Sequence, residues 1–164
     1  MKTLYLIGGT MGVGKTTACR LLKERLDNCA FLDGDWCWDM RPFRVTGETN
    51  AMALDNICHV LNNFLRCSAY ENILFCWVMH EQEIIDRILD RLETGEYKVV
   101  AVSLVCDKEA LCRRLRGDID RGLRASDVVA RSLERLPRYA ALNTVKLDVT
   151  HRTAEETADA ILAL

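Results

Sequence analysis

The chain has 164 residues, of which 49% are hydrophobic and 28% charged, the length and composition of one compact domain. This balance excludes a disordered tail and a membrane protein, because no apolar run approaches the ~20 residues of a membrane span. The net charge of −2 gives no general attraction to nucleic acid or to an anionic membrane.

Short apolar segments alternate with segments of helical periodicity along the chain. In the first half of the chain the pattern predicts a strand at 4–7, a helix at about 15–26, a strand at 30–32, a helix at 50–69 and a strand at 73–78. A helix over 84–92, closed by Gly95, and a strand at 98–106 follow. The remaining elements are a helix capped by Asp107, a strand at 145–149 and a C-terminal helix opened by Thr153–Glu156. Apolar strands that alternate with helices are typical of a parallel sheet covered on both faces. We therefore expect a three-layer α/β fold with a five-stranded parallel sheet, formed by residues 1–164 as a single domain.

The eight cysteines contain no C-x-x-C pair and lie mostly in apolar surroundings. This distribution predicts reduced core thiols, rather than disulfides or a zinc site, in a cytoplasmic protein. The apolar segment Leu4–Ile7 is too short for a signal peptide. We expect a monomer or homodimer.

Glycine is concentrated near the N-terminus: four of the nine glycines lie between residues 8 and 14. Here the chain matches G-x-x-x-x-G-K-[ST] between a predicted strand and a predicted helix. In such a loop backbone N–H groups cradle phosphates, Lys15 contacts the β- and γ-phosphates, and the Thr16 hydroxyl binds Mg²⁺. We therefore expect ATP or GTP with Mg²⁺. The predicted nucleotide contacts are Gly9, Thr10, Met11, Gly12, Val13, Gly14, Lys15, Thr16 and Thr17.

Two carboxylates, Asp33 and Asp35, follow the second predicted strand. Ligands of open α/β sheets bind beyond the carboxyl ends of the strands, so we expect both carboxylates near the transferred phosphate. If the chain stays extended there, they point the same way. We assign Asp35 as the base that accepts the acceptor's proton, and Asp33, with Thr16, to the metal. The reverse assignment and a turn with two solvated carboxylates remain alternatives.

An aromatic and basic segment follows the acidic pair, and we expect residues 33–70 to form the acceptor region. Its tryptophans and arginines suit a small, partly apolar or anionic acceptor, although a surface aromatic cluster fits the pattern equally well. The predicted substrate contacts are Asp35, Trp36, Arg41 and Arg44. His80 follows the third strand, where a capping or core role is favoured over catalysis.

Residues 112–124 contain five arginines and two glycines. This pattern predicts a lid, with hinges at Gly117 and Gly122, whose arginines close over the triphosphate. A simple basic helix end is the alternative.

With the phosphate loop, the acidic pair and the arginine segment in this order, the chain resembles the small P-loop kinases. These include shikimate kinase, gluconate kinase and chloramphenicol phosphotransferase, and the resemblance covers essentially the whole length. In shikimate kinases a D-x-D after the second strand serves the metal and the acceptor, and Asp33 and Asp35 match its spacing. The third strand, Cys76-Trp77-Val78, offers no Walker B carboxylate, which leaves metal binding to Thr16, water and the acidic pair.

Two further segments look most like chloramphenicol phosphotransferase. They are the stretch from Cys106 to Asp118, and Arg138-Tyr139 followed by Leu147–Thr150. This resemblance implies that Arg113 and Arg116 are catalytic lid arginines and that Thr150–Thr153 lie beside the adenine. The tryptophan-rich acceptor segment matches none of these families closely, so the acceptor does not carry over.

These features predict a phosphotransferase that moves the γ-phosphoryl group of a magnesium nucleotide to a small-molecule hydroxyl, with Lys15, Asp35, Arg113 and Arg116 as the catalytic residues. The acceptor is either a nucleotide or nucleoside, or else a metabolite or antibiotic. The alternative is a regulatory P-loop module that binds or hydrolyses ATP without an acceptor. A GTPase-type switch is disfavoured because D-x-x-G and N-K-x-D are both absent from the sequence.

Overall fold

The computed structural model describes residues 1–93 and 95–164. Its strands are β1 (Lys2–Gly8), β2 (Cys29–Asp33), β3 (Asn72–Trp77), β4 (Tyr97–Val105) and β5 (Val145–Asp148). Its α-helices are α1 (Lys15–Arg25), α2 (Gly47–Arg66), α3 (Gln82–Leu89), α4 (Lys108–Asp120), α5 (Val128–Arg135) and α6 (Ala154–Leu162), and 3₁₀ helices span Gly34–Trp38 and Leu136–Ala141. The five strands of this described part form one parallel sheet in the order β2-β3-β1-β4-β5.

Both faces of the sheet are covered by helices, as the alternation of side chains along β1 illustrates. Leu4 and Leu6 pack in a core cluster with residues of α2 and α3, including Ile57 and Ile85. Ile7 points to the other face and packs in a second cluster with residues of α1, α4 and α6. The predicted three-layer α/β fold is therefore confirmed. Within the described ranges no helix has the length and apolarity needed to cross a membrane.

The strand register brings three chain segments together at the carboxyl edge of the sheet. Gly8 of β1 lies beside Trp77 of β3, and Asp33 of β2 lies beside Cys76 of the same strand. The segments that follow β1, β2 and β3 therefore start level with one another, and this edge is where open parallel sheets bind ligands.

Several predicted boundaries need correction. Helix α2 begins at Gly47 because Thr46 and Thr49 form a reciprocal cap at its N-terminus, and α3 ends at Leu89, well before Gly95. After Asp33 the chain turns at once into a 3₁₀ helix instead of staying extended.

The predicted lid is also organised differently from the expectation. Gly117 lies inside α4, so it does not separate two elements. Gly122 follows the end of α4 and has a φ of 70°, a left-handed conformation that glycine adopts without strain. Residues 112–124 therefore comprise the second half of α4 and the turn after it.

Candidate active site

The phosphate loop, residues 9–14, joins β1 to the N-terminus of α1. Gly12 has a φ of 82°, and a Cβ there would lie 2.4 Å from a side-chain atom of Leu115 in α4. Only glycine therefore lets the loop adopt this turn and pack directly on α4. Because the first N–H groups of a helix have no partner within it, α1 offers donors and a partial positive charge to an anion in this loop.

The loop borders a hollow of about 290 Å³, which we call the phosphate hollow. Its lining residues are Gly12, Gly14, Lys15, Thr16, Thr17, Arg114, Asp118, Arg121 and Arg124. Other predicted nucleotide contacts lie elsewhere. Thr10 is fully buried and its hydroxyl donates to the Ser132 carbonyl over 3.0 Å, Gly9 is buried, and Met11 lines a different cavity.

Lys15 lies between the loop and the acidic pair. Its Nζ donates to the Thr10 carbonyl over 3.0 Å. Desolvation lowers the pKa of Lys15, and the negative charges of Asp33 and Asp35 oppose this shift. A poorly solvated ammonium group beside a helix N-terminus is well placed to attract phosphate oxygens.

Asp33 is buried and connects the end of the phosphate loop to the segment that follows β2. Its Oδ2 accepts a hydrogen bond of 2.8 Å from the Thr16 hydroxyl, and its Oδ1 accepts one of 3.1 Å from the Asp35 N–H. Both Thr16 and Asp33 offer hard oxygen ligands of the kind that Mg²⁺ prefers. Within residues 1–93 and 95–164 no cluster of three or more His, Cys, Asp or Glu could hold a metal alone. The donor set therefore fits a Mg²⁺ ion that keeps water and phosphate ligands.

Asp35 lines a separate cavity and is not among the residues that line the phosphate hollow. Although Asp35 is exposed to solvent on one side, desolvation raises its pKa, and the nearby Asp33 carboxylate raises it further. Lys15, Arg124 and the Trp77 side chain oppose this shift. A carboxylate with a raised pKa is a stronger base than an ordinary aspartate.

The arginines that face the phosphate hollow are not the predicted ones. Arg113 and Arg116 are exposed and line a separate shallow hollow with Lys108, Glu109 and Cys112. Arg124 instead lines the phosphate hollow and acts electrostatically on both Lys15 and Asp35. Arg121 and Arg124 both bind Asp118, over 2.7 Å and 3.0 Å. This placement does not support phosphate contacts from Arg113 and Arg116.

A second hollow of about 180 Å³ shares Arg114 with the phosphate hollow. The Arg114 guanidinium donates to the carbonyls of Val13 and Val149 over 3.3 Å and 2.7 Å, so it ties the phosphate loop to the segment after β5. Thr150 does not line this hollow, because its hydroxyl accepts a hydrogen bond from the Asp107 N–H at 2.9 Å. Two residues of the predicted adenine segment, Arg152 and Thr153, do line it, together with Ala154 and Thr157.

Asp35 opens into a larger cavity of about 460 Å³, which we call the acceptor cavity. Three aromatic side chains line it: Trp38, Phe43 and Trp77. Its polar lining comes from Asp35, Asn50, His80, Arg131 and Arg135. The predicted contacts Trp36, Arg41 and Arg44 are not among the lining residues. Trp36 packs on Phe31 with ring centroids 5.3 Å apart, and both arginines are exposed.

Trp77 is not among the site residues predicted from the sequence, since β3 carries no carboxylate that would mark it as part of the site. A Cβ on Gly34 would lie 2.5 Å from the Trp77 indole, so the backbone between the two aspartates lies directly against this ring. The signal was present, since a glycine stands between the two carboxylates and a tryptophan ends the next strand.

Replacing Gly34 by alanine is therefore expected to destabilise the fold by ~1–3 kcal/mol, because the new methyl group overpacks the indole. Thermal melting of the variant measures this. The matched control is Gly117→Ala in α4, where a Cβ meets nothing within 4 Å. That change is expected to stabilise by ~0.5–1 kcal/mol, as glycine-to-alanine changes in helices do. Equal effects at the two positions would contradict the close contact.

A family model described as an AAA domain matches residues 6–134. This range includes the phosphate loop, the acidic pair and α4. The chain belongs to the AAA domain family. No curated protein sequence matches this AAA domain.

Solved structures place this AAA domain among the small P-loop kinases in fold. A gluconokinase from Sinorhizobium meliloti is 19% identical, with a TM-score of 0.72, over 98% of this chain and 90% of that one. The Deinococcus radiodurans tunicamycin resistance protein is 17% identical, with a TM-score of 0.73, over 99% and 95%. A shikimate kinase from Aquifex aeolicus is 18% identical, with a TM-score of 0.63, over 98% and 94%. The predicted resemblance to this group is confirmed.

Proposed function

We propose that this protein is a nucleotide-dependent phosphotransferase, which moves the terminal phosphoryl group of ATP or GTP to a hydroxyl group of a small molecule. One observation carries the proposal: the acidic pair connects the phosphate hollow to the acceptor cavity. Asp33 binds the Thr16 hydroxyl on one side, and Asp35, two residues later, lines the cavity. The fold shared with a gluconokinase and a shikimate kinase supports the same reaction class.

In this mechanism the α1 N-terminus and Lys15 would hold the phosphates, and Asp35 would accept the proton of the acceptor hydroxyl. Arg124 would neutralise negative charge that builds up between Lys15 and Asp35 during transfer. Thr16 and Asp33 would hold Mg²⁺, which supplies charge neutralisation at the phosphates when it is bound. Thr150 would not contact the adenine itself. It would support the neighbouring residues of the segment that follows β5.

The proposal is tested by incubating the protein with [γ-³²P]ATP or [γ-³²P]GTP, Mg²⁺ and a panel of alcohols. We expect labelled phosphate to appear on an organic acceptor, and the Lys15→Ala variant to lose this transfer. Nucleotide binding without transfer to any acceptor, or release of inorganic phosphate alone, would favour the regulatory alternative instead.

The placement of the arginines leads to a separate prediction. Arg124→Ala is expected to lower kcat by ~10–100-fold, because it removes a cation that acts on both Lys15 and Asp35. Arg116→Ala is expected to stay close to the wild type, since Arg116 is exposed outside the phosphate hollow. Steady-state kinetics of both variants decide the matter. A larger loss from Arg116→Ala would restore the original assignment.

We also propose a reducing, cytoplasmic location. All eight cysteines are unbridged, and the most deeply buried include Cys19 and Cys76. Buried cysteines without a bridging partner behave as small hydrophobic residues, and a chain with several of them fits a reducing compartment.

A further inference from the structure

The acceptor cavity has a lining that selects among acceptor classes. Eight of its thirteen lining residues are apolar, and they surround the single carboxylate of Asp35. A cavity of this size is ordinary for a drug-sized or cofactor-sized ligand. The proportion of apolar to polar lining residues therefore indicates the chemical character of the ligand apart from its reacting hydroxyl group.

Three of the eight apolar lining residues are aromatic. Trp38 and Phe43 pack against each other with ring centroids 6.0 Å apart and an interplanar angle of 52°. Trp77 lies against Gly34, next to the carboxylate of Asp35. Phe43 and Val45 are both 62% exposed, so the segment before α2 offers large apolar side chains that a ligand would cover. A ligand with a flat ring gains binding affinity from such contacts, both through the apolar area that it buries and through the pairing of aromatic rings.

A polyhydroxylated ligand is poorly matched to this wall. Each hydroxyl group that binding removes from water without a new hydrogen bond weakens affinity. Five of the thirteen lining residues are polar, and one of them, Arg131, is already bound to Asp127 at 3.1 Å. A sugar or sugar acid would leave several hydroxyl groups against tryptophan, phenylalanine, methionine and valine.

A cationic ligand is also disfavoured. Arg131 and Arg135 both line the cavity. Among residues 1–93 and 95–164, Arg135 has no carboxylate partner within ion-pair distance, and its charge, after burial, helps to lower the pKa of the neighbouring His80. The positive potential from this side repels ammonium groups and accepts neutral or anionic ones.

We infer that the acceptor is a neutral or anionic alcohol with a flat, mainly apolar ring body, whose ring contacts Trp38, Phe43 and Trp77 while its hydroxyl group lies at Asp35. This inference rests on the proposed function for the transfer step. In that step the acceptor oxygen bonds to the γ-phosphorus, the bond from that phosphorus to the bridging oxygen of the nucleoside diphosphate breaks, and Asp35 takes the hydroxyl proton.

Ligand class is first tested by binding alone, with wild-type protein and no nucleotide present. Isothermal titration compares three probes: 2-(2-naphthyl)ethanol, D-gluconate and kanamycin. We expect the naphthyl alcohol to bind at least ~10-fold more tightly than either of the others, since each ~1.4 kcal/mol of ring burial gives a factor of ten. Equal or tighter binding of gluconate or kanamycin, or no binding of any probe, overturns the inference.

Matched variants locate the binding. Phe43→Ala and Trp38→Ala are each expected to weaken binding of the naphthyl alcohol by at least ~5-fold through lost ring contacts. Because Phe43 is exposed, its variant carries little risk of misfolding. Trp36→Ala is the control, since Trp36 packs on Phe31 outside the cavity. A preference for the naphthyl alcohol that survives both cavity variants contradicts the inference.

Transfer from [γ-³²P]ATP to the same probes separates the two proposals. Lys15-dependent labelling of gluconate in preference to the naphthyl alcohol overturns the inferred acceptor class and supports the proposed function. Tight binding of the naphthyl alcohol without Lys15-dependent labelling of any probe contradicts the proposed function and supports the ligand class of the cavity.

Discussion

Replacing Lys15 by alanine is expected to lower kcat by at least ~10²–10³-fold while the protein stays folded. The ammonium group lies beside the α1 N-terminus and near both aspartates, where negative charge on a transferred phosphate would be greatest. Removing one preorganised donor from such a site costs about this factor. Because the charge acts mainly on the developing transition state, we expect a larger change in kcat than in the KM for nucleotide.

Stability is expected to change little in this variant. The pKa of Lys15 is lowered by desolvation, so the folded protein gains little from holding the charged form. The variant does lose the hydrogen bond to Thr10, a contribution of ~1 kcal/mol. The matched control is Lys23→Ala, an exposed lysine on the same helix, whose turnover should match the wild type. Full activity of Lys15→Ala would contradict the phosphotransferase proposal.

The sequence predicted which contiguous motifs the fold brings together at the carboxyl edge of the sheet. The phosphate loop, Thr16 and the acidic pair each lie within a few residues of a strand end, so identifying the strands was enough to bring them together. The hydrogen bond between Thr16 and Asp33 follows from that placement. The fold could be predicted for the same reason, since apolar strands that alternate with helices leave few arrangements.

The predicted lid arginines, Arg113 and Arg116, do not line the phosphate hollow, and the sequence holds a signal for this placement. Leu111 and Leu115 are fully buried and fix which side of α4 faces the core. At ~100° per residue, Arg113 lies ~160–200° from these two leucines and Arg116 lies ~100–140° from them, so both point away from the core. Arg114 and Arg121 flank the buried side and line the phosphate hollow. In a helical projection extended to the C-cap residue Arg121, Arg114 and Arg121 lie on one flank of the buried side, whereas Arg113 and Arg116 do not.

The lining of the acceptor cavity was harder to predict, because the local backbone conformation after Asp33 decides which side chains face the cavity. An extended chain after Asp33 would place residues two apart on one side, but the 3₁₀ helix at Gly34–Trp38 has about three residues per turn. Asp35 and Trp38 therefore share a side and line the cavity, while Trp36 turns toward Phe31. Residues from β3 and α5 join them only through the tertiary fold, which no short motif encodes.

Replacing Asp35 by asparagine is expected to lower kcat by ~10²–10⁴-fold with nucleotide affinity kept, because a general base contributes this much and the amide cannot accept the proton. Asp39→Asn, an exposed position just after the 3₁₀ helix, is the matched control and should keep its turnover. The folded protein raises the pKa of Asp35, so the charged carboxylate is less favourable there than in the unfolded chain. The cost of ionising Asp35 in the folded protein is absent below the ordinary carboxylate pKa and complete above the raised pKa. At pH 7 the wild type therefore carries this cost and the amide does not, so Asp35→Asn should melt no lower than the wild type.

An unchanged kcat in Asp35→Asn would remove the base role from Asp35.

The pH profile of the wild type provides the sharpest check of this role. If ionised Asp35 is the base, kcat falls as the pH drops through its pKa, and this fall begins at a higher pH than for an ordinary aspartate. After desolvation, the negative charge of Asp33 is the second cause of the raised pKa. Asp33→Asn removes that charge, so the acid limb of kcat should move to lower pH even where the overall rate is reduced through weaker Mg²⁺ binding. An acid limb that stays in place, or that moves to higher pH, would assign the titration to another group and contradict the coupling between the two carboxylates.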